Sequence, residues 1–557
     1  MASESREFSA GAMWLTACRA GAMVVDGGTV GLSFLFPIPA GSSIAPARTN
    51  FVVCLQKAVV VRTPTSANKT EGSTLKSDPK ETAFKAIDRN RDEIAKVGDS
   101  IFYFGELGMQ EIETSKLLVQ VLRDIGYSVE TGISGFPTGF MATYGSGKPV
   151  IAVHCEFDAL PSGSQTPGFT EGKKELVPGA PGHAEGHNTN AATMVGAAFA
   201  VKEAMAKHKI PGTIKLFGAP AEEQLVSRPF YVRDGYFKDV DAAFHVHVDT
   251  ELKVGYGVIS KAMMSVEFEF FGRTAHASNA PWNGISAVDA AKLMDIGWDV
   301  LREHLPPTQR SHSVIRNGGT QPNVVPDYAK IWFFFRETTA QGARDLYQKA
   351  RKMAEGACLM TGATWKENIL SAVWPVLGNK VLAEVAQSNI ESLGMPRWSE
   401  ADQALARQVQ KAAKAKEIGL ETKVTPLQLA VPGTGSNDSG DITWAVPHVR
   451  ILFPANVKGA TAHNWLAGIA PATPIAHKGE AQGAKVLVGS MLDLLAKPAL
   501  LVKAKSWLQE QLTTFGVEYE PLLPPETRPP LHLNVEEMAK YRKQMKKHYL
   551  NVPIRFK

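Results

Sequence analysis

The stretch Pro149-Val150-Ile151-Ala152-Val153-His154-Cys155-Glu156-Phe157-Asp158 decides the fold class of this chain. Residues 149–154 form a short apolar run that is typical of a buried strand, and the run leads directly into a histidine and two carboxylates. In α/β proteins, active sites lie at the C-terminal ends of such strands. The stretch therefore predicts an α/β fold with a polar site at one edge of its sheet.

Three further segments carry the same ligand chemistry. The sequence Gly182-His183-Ala184-Glu185-Gly186-His187-Asn188 places two imidazoles and a carboxylate between glycines, which allow the backbone to approach closely. Glu222-Glu223 follows a predicted strand over 213–217, and His245-Val246-His247 lies near the end of another, over 241–248. Imidazole and carboxylate groups hold Zn²⁺ or Mn²⁺ in proteins. Together the four segments predict a metal site.

The adjacent acids Glu222 and Glu223 have two interpretations. They would repel each other, and one would be protonated unless a cation lies nearby. A metal ion resolves this conflict if one carboxylate is its ligand and the other takes a proton from water. The alternative is a pair of solvated loop acids. The apolar strand that precedes them favours the functional interpretation, with Asp158 able to orient a ligand histidine.

The histidines are not equivalent. His245 and His247 share one face of their strand, so that both could bind metal, or one could support the other. For His245, a purely structural hydrogen bond is an equally good interpretation. His154 lies deeper in its strand, which favours a hydrogen-bonded core histidine over a ligand.

The overall composition limits the classes of protein to which this chain can belong. A chain of 557 residues with 44% hydrophobic and 21% charged residues predicts two or more globular domains. The net charge of +5, without a long basic block before the C-terminus, gives no support to nucleic-acid binding. No apolar run is long enough for a membrane span. Four scattered cysteines favour a reducing, cytoplasmic location, with export through the N-terminal segment as the alternative.

The order of elements predicts an inserted domain. Residues 264–270 alternate between apolar and polar, as in a half-buried antiparallel strand, and the order strand–helix–strand–strand–helix–strand begins there. We expect helices over 82–104, 111–125 and 401–418, and a solvated basic helix near the end, where Asn534 and Glu537 have capping-box spacing. The expected parts are a leader over 1–81, a catalytic domain over 82–260 and 374–495, an inserted domain over 261–373 and a C-terminal extension over 496–557.

Several of these motifs together resemble one family of metallopeptidases. They are Glu156-Phe157-Asp158-Ala159-Leu160-Pro161, Gly186-His187-Asn188, Ala221-Glu222-Glu223 and Gly272-Arg273-Thr274-Ala275-His276-Ala277-Ser278. The family is that of aminoacylase, glutamate carboxypeptidase and bacterial amidohydrolases. Residues 142–149, 323–328 and 436–444 are similar to its aminobenzoyl-glutamate hydrolase group. The likeness covers roughly residues 82 to 530, with the motifs in the family's order and spacing.

The resemblance implies an amidohydrolase with two divalent metal ions, Zn or Mn. It implies a catalytic domain with a mixed, mostly parallel sheet flanked by helices, and an inserted α+β (ferredoxin-like) dimerisation or lid domain that makes a homodimer. The substrate would be a small-molecule amide, namely an N-acyl amino acid of the aminobenzoyl-glutamate kind or a dipeptide-like amide. The implied roles are these: metal ligands His187, Glu223, His247 and His463; general base Glu222; orienting carboxylate Asp158; carbonyl-polarising His276, presented across a dimer; and substrate-binding Asn323.

One position departs from the family's pattern. The group usually has cysteine where this chain has Glu185, and a carboxylate can bridge two cations as a thiolate does. We therefore expect Glu185 to be a metal ligand and the site to favour harder, oxygen-loving ions. Arg336 and Arg273 are candidate partners for a substrate carboxylate.

The alternatives to an amidohydrolase are a dipeptidase or aminopeptidase of the same fold, and a non-catalytic protein that binds a small ligand.

Overall fold

The computed structural model describes residues 78–557. The expected N-terminal leader lies, except for its last residues, outside this part of the chain. The strands are β1 (Ser128–Thr131), β2 (Phe140–Ser146), β3 (Val150–Cys155), β4 (Gly212–Gly218), β5 (Ala242–Asp249), β6 (Lys253–Val258), β7 (Ala262–Phe271), β8 (Arg310–Asn317), β9 (Tyr328–Glu337), β10 (Thr364–Val373), β11 (Leu377–Gly378), β12 (Gln428–Leu429) and β13 (His448–Pro454). The helices are α1 (Pro79–Arg89), α2 (Arg91–Phe104), α3 (Ile112–Asp124), α4 (His187–His208), α5 (Ser227–Arg233), α6 (Ala287–Arg302), α7 (Ala340–Thr361), α8 (Lys380–Leu393), α9 (Glu400–Ala412), α10 (Gly440–Ala445), α11 (Pro474–Ala496), α12 (Pro498–Phe515) and α13 (Val535–Met545).

The larger sheet is mixed, with a parallel centre. Its strands lie in the order β1-β2-β4-β3-β5-β13-β6-β11, and β12 pairs with β6. The four central strands β4, β3, β5 and β13 are parallel to one another, whereas β2 and β6 border them in antiparallel pairing. All six residues of β3 are buried, which explains why that strand is a continuous apolar run. The mixed, mostly parallel sheet that was expected is confirmed.

The smaller sheet is antiparallel, in the order β10-β7-β9-β8. Helices α6 and α7 cover one face of it, where the buried aromatic residues Trp298, Phe333 and Phe335 pack together. Along β9, buried residues alternate with half-buried ones, and the half-buried face carries Arg336. The element order β7-α6-β8-β9-α7-β10 confirms the predicted α+β arrangement.

Helices α4 and α11 pack against the larger sheet and are buried on nearly all sides, so that their apolar residues do not form a single stripe. The helix expected over 82–104 is two helices, and that prediction was wrong at Asn90. There the side-chain amide donates to the carbonyl oxygens of Ala86 and Lys557. The helix expected over 401–418 ends at Ala412, and Lys414 has a φ of 54° that an α-helix does not allow.

The C-terminal helix α13 is docked rather than solvated. Met538 and Met545 are buried against Leu107, and Arg542 pairs with the buried carboxylate of Glu106. The predicted capping box is absent, because Asn534 has a left-handed backbone (φ 63°) and its side chain forms no capping bond to the helix. No helix within residues 78–557 is both long and apolar enough to cross a membrane.

Candidate metal centre and active-site cavity

The four polar segments converge at one edge of the parallel strands. Residues beyond β3 supply Asp158, a short turn after β4 supplies Glu222 and Glu223, β5 supplies His247, and the first residue of α4 is His187. The C-terminal ends of parallel strands lie side by side, which brings together residues that are far apart in the sequence. Gly186, before α4, has a φ of 123°, and a Cβ atom there would lie 3.2 Å from the side chain of Val248. Glycine therefore allows Glu185 and His187 to approach β5 closely.

His187 is held in one tautomer. Its Nδ1 lies 3.2 Å from both the carbonyl oxygen and Oδ1 of Asp158. Both of these oxygens can only accept, so that Nδ1 carries the hydrogen and Nε2 presents a lone pair when the ring is neutral. The other carboxylate oxygen of Asp158 accepts the backbone N–H of Glu223 at 3.0 Å. Asp158 thus positions two of the expected ligand residues.

His247 and His463 face Glu185 from different sides. The Nδ1 of His247 donates to the carbonyl of Val248 at 2.7 Å, which leaves its Nε2 free. This Nε2 lies 3.6 Å from Oε1 of Glu185, whereas the Nε2 of His463 lies 2.9 Å from Oε2 of the same carboxylate. Each oxygen of Glu185 therefore faces a different histidine, and this geometry suits a bridging carboxylate.

The Glu222-Glu223 turn is built from uncommon backbone conformations. Ala221 and Leu225, which flank it, have φ values of 59° and 58°. Such left-handed conformations are uncommon for residues other than glycine, and they concentrate where a site imposes them. Oε2 of Glu222 lies 3.9 Å from Nε2 of His187, and Oε1 accepts a hydrogen bond of 2.6 Å from the side chain of Asn437.

The carboxylates of this cluster are strongly perturbed. Burial raises the pKa of Glu223 to about 8, and the charges of Asp158 and Glu185 add to the rise. Burial also raises the pKa of Glu222 well above its usual range, reinforced by Glu223. Burial opposes ionisation of Glu185 too, but the hydrogen bond from His463 lowers its pKa to about 2. Several carboxylates in a small buried volume repel one another, and a nearby positive charge would stabilise their ionised forms.

The donor set fits a divalent cation. Two groups of three residues, Glu156/His187/His247 and Glu185/His187/Glu223, each bring their ligand atoms within 4.8 Å of one another. Two atoms in these groups, Nε2 of His187 and Oε1 of Glu223, are buried without a hydrogen-bond partner in residues 78–557. An unpaired buried donor or acceptor is costly, and a bound cation would satisfy both atoms.

Beneath the centre lies an ion-pair network that the sequence did not reveal. The buried guanidinium of Arg228 pairs with Glu156 and Asp438 and donates to Nδ1 of His154 at 3.0 Å. His245 also bonds to Glu156, with its Nε2 at 2.8 Å. His154 and His245 are therefore core histidines with specific partners, as was expected for His154. No local pattern marks Arg228, because its partners lie far away in the sequence.

The centre opens into a cavity of about 400 Å³. Its lining includes most of the predicted site residues, namely Glu185, Glu222, Glu223, His247 and His463, together with Arg336. His276 and Asn323 do not line it: both are on the surface of the inserted domain, where the backbone of Ala277 bonds to that of Asn323. Arg273 is also outside the cavity and bonds to the carbonyl of Asn283. Sequence reasoning missed Asn437 and Arg450, which line the cavity as well.

Comparison with known proteins places this chain in a family. Residues 258–359 match the peptidase dimerisation domain. The chain is 30% identical over 456 residues to one subunit of the p-aminobenzoyl-glutamate hydrolase of Escherichia coli, covering 77% of this chain and 94% of that protein. It is 29% identical to the Xaa-Arg dipeptidase of Mus musculus, covering 66% of this chain and 77% of that protein.

The fold is also found in a solved structure. The crystal structure of an aminobenzoyl-glutamate utilization protein from Klebsiella pneumoniae superimposes with a TM-score of 0.53 at 17% identity, covering 73% of this chain and 97% of that one. At this identity the likeness shows the fold alone. The match to the Escherichia coli protein covers 94% of that protein at 30% identity, and the dimerisation domain and the cluster of histidines and carboxylates agree with it. We conclude that this chain belongs to the M20 family of metal-dependent peptidases and amidohydrolases.

Proposed function

We propose that this enzyme hydrolyses the amide bond of an N-acyl amino acid of the aminobenzoyl-glutamate kind. One observation carries the proposal: the carboxylate of Glu222 lies beside the ligand cluster, 3.9 Å from Nε2 of His187, and lines the same cavity as Arg336. The cavity therefore combines a proton acceptor, a set of metal ligands and a carboxylate-binding cation. The Escherichia coli relative, which is named for the hydrolysis of p-aminobenzoyl-glutamate, supports this substrate class.

Five residues would hold two divalent cations, Zn or Mn: Glu185, His187, Glu223, His247 and His463. When bound, the cations would supply Lewis acidity, which lowers the pKa of water and polarises a carbonyl group. Glu185 contributes two hard oxygen donors where the related group usually has a thiolate, and this favours manganese over zinc.

Glu222 would move the proton. Asn437 holds Oε1 by a hydrogen bond, which leaves Oε2 facing His187. Oε2 would accept a proton from the attacking water and deliver it to the nitrogen of the leaving amine. Burial raises the pKa of Glu222 well above its usual range, and carboxyl groups with a raised pKa are typical of sites that transfer protons.

Arg336 would bind the carboxylate of the substrate. Its guanidinium lines the cavity, and its Nε is buried without a hydrogen-bond partner in the described residues. The negative charge of Glu222 favours the charged form of this guanidinium. A planar guanidinium binds a carboxylate through two parallel hydrogen bonds. The substrate would therefore lie between Arg336 and the metal ligands.

The working form would be a homodimer formed through the inserted domain. His276 and Val324 form an isolated β-bridge, which holds His276 close to Asn323 on the surface of the inserted domain. Both side chains would reach the cavity of a second copy. The outer strand β8 is exposed along most of its length and carries Val314 and Ile315. This edge is suited to pairing with another chain.

A cytoplasmic location, favoured by the free thiols of Cys155 and Cys358, belongs to the same proposal.

A panel of N-acyl amino acids and dipeptides, supplied to the metal-reconstituted dimer, tests the proposal. We expect the wild type to hydrolyse an N-aroyl glutamate, and Glu222→Gln to lose about 10³-fold or more in kcat while it retains metal and thermal stability. The matched control is Glu526→Gln, which removes an exposed acid outside the cavity. Near-normal turnover by Glu222→Gln would overturn the role of that residue.

A further inference from the structure

The cavity contains a second guanidinium that the proposed mechanism does not use. Arg450, on β13, lines the same cavity as Arg336 and is half-buried. Among residues 78–557 its guanidinium forms neither an ion pair nor a hydrogen bond, and the carboxylates that act on it do so through space. Arg228 shows the contrast, because its guanidinium is held by two carboxylates and an imidazole. A guanidinium at the wall of a cavity without a bonded partner has its N–H donors free for a ligand.

The carboxylates near Arg450 already have other donors. Glu156 accepts bonds from Asn190 and His245, and Glu185 accepts one from His463. The Oδ1 of Asp249 accepts backbone N–H groups from the two residues that follow it. These acids act on Arg450 through space and do not occupy its donors. The donors are therefore available to a ligand in the cavity.

Arg450 also lines a second cavity of about 440 Å³. This second cavity shares Glu185 and His247 with the first, and part of its wall is apolar, formed by Leu452 and Ala467. Arg450 is thus next to the metal ligands at the junction of two spaces. A substrate whose scissile amide lies at those ligands would extend toward Arg336 on one side and toward Arg450 on another.

We propose that Arg450 is a specificity-determining residue that binds a second carboxylate of the substrate, while Arg336 binds the first. This inference rests on the proposed function. Arg–carboxylate pairs are strong and directional, so that two of them inside one cavity select for a substrate with two acidic groups. The second carboxylate belongs either to the side chain of the leaving amino acid or to the acyl group.

Three substrates separate these two sources. Benzoyl-glutamine carries one carboxylate, benzoyl-glutamate adds a second on the amine side, and para-carboxybenzoyl-glutamine adds it on the acyl side. We expect wild-type kcat/KM to be about 10- to 100-fold higher for one of the two dicarboxylates than for benzoyl-glutamine. In Arg450→Gln this preference should disappear, and in Arg450→Lys it should be partly retained, because a cation remains without the planar fork. Arg407→Gln, which removes an exposed arginine on α9, should keep the wild-type preference.

Calorimetry provides a readout that does not need turnover. N-benzyl-glutamate, N-benzyl-glutamine and para-carboxybenzyl-glutamine have an amine in place of the amide and are not hydrolysed. We expect the preferred dicarboxylate to bind the wild type more tightly than the monocarboxylate, and Arg450→Gln to bind both equally. If the wild type hydrolyses none of the three substrates, the proposed function fails, and these binding measurements still decide the inference.

Two outcomes would overturn the role of Arg450. The first is an equal loss on all three substrates together with a lower metal content, which would mean that Arg450 balances the charge of the ligand carboxylates. The second is a wild-type enzyme that hydrolyses the substrates without preferring either dicarboxylate.

Discussion

The Nδ1 of His187 lies 3.2 Å from Oδ1 of Asp158, and this contact decides which nitrogen of the ring is free for a cation. Because a carboxylate can only accept, Nδ1 carries a hydrogen, and in the neutral ring the lone pair is on Nε2. Nε2 is also one of the buried atoms without a partner in the described chain. The orientation of the ligand is therefore fixed before any metal binds, which lowers the entropy cost of binding.

Asp158→Asn should weaken metal binding while the chain stays folded. The new side chain has a single acceptor oxygen for two N–H donors, those of His187 and of the Glu223 backbone. We expect the affinity for divalent cations to fall about 10- to 100-fold, as measured by competition with a chelator. Asp345→Asn, on the exposed face of α7, is the control. An unchanged affinity would show that Asp158 does not orient the ligand.

Glu185→Cys should change which metal the centre prefers. The substitution introduces a thiolate at the position of a predicted ligand, and a thiolate favours zinc over harder ions. We expect the ratio of zinc affinity to manganese affinity to rise about tenfold or more, measured with both ions on the same protein. Glu526→Cys adds a thiol at an exposed position and should leave the ratio unchanged. The same ratio in both variants would mean that Glu185 does not ligate.

Mixing two inactive variants tests whether His276 acts across a dimer. His276→Ala and Glu222→Gln should each lose about 10²-fold or more of activity alone. Refolded together in equal amounts, they should recover about a quarter of wild-type activity, because half of the dimers then contain one complete site. A chain carrying both substitutions cannot supply His276, and its mixture with His276→Ala should stay inactive. Recovery in neither mixture would mean that His276 acts within its own chain and not across a dimer.

The buried carboxyl of Asp441 should make stability depend on pH. It accepts bonds from the backbone N–H of Trp374 and from the hydroxyl of Tyr519, but burial raises its pKa to about 7. The folded state therefore binds a proton that the unfolded state releases at about pH 4, and this stability is lost as the pH rises from about 4 to about 7. Asp441→Asn should remove most of the decline. Thermal unfolding across that range measures it, and an unchanged slope in the variant would contradict the assignment.

Much of the fold could be predicted from the sequence, because the signals are local. The apolar run of β3, the alternation along β7 and the helical spacing in α3 each depend on neighbouring residues. The wrong boundaries have physical reasons in contacts that are not local. Asn90 breaks a predicted helix by bonding to Lys557, and α13 docks on Leu107 although its sequence is largely charged.

The residue types of the site follow from the sequence, but their roles do not. His245 and His247 share a strand face, and their spacing gives no reason to separate them. Two residues along a strand span about 7 Å, so that one ring is buried beside Glu156 while the other reaches the cavity. Depth below the edge of the sheet is a property of the folded molecule.

By itself, the sequence determined that imidazoles and carboxylates follow the strands of an α/β protein with an inserted antiparallel unit. Only the tertiary structure decided which of them meet. Arg228 pairs with Glu156 and Asp438, which are 72 and 210 residues away, and Arg450 enters the cavity from a strand that carries no motif. The reason is that charge pairing depends on distance in space, whereas a sequence pattern records only distance along the chain.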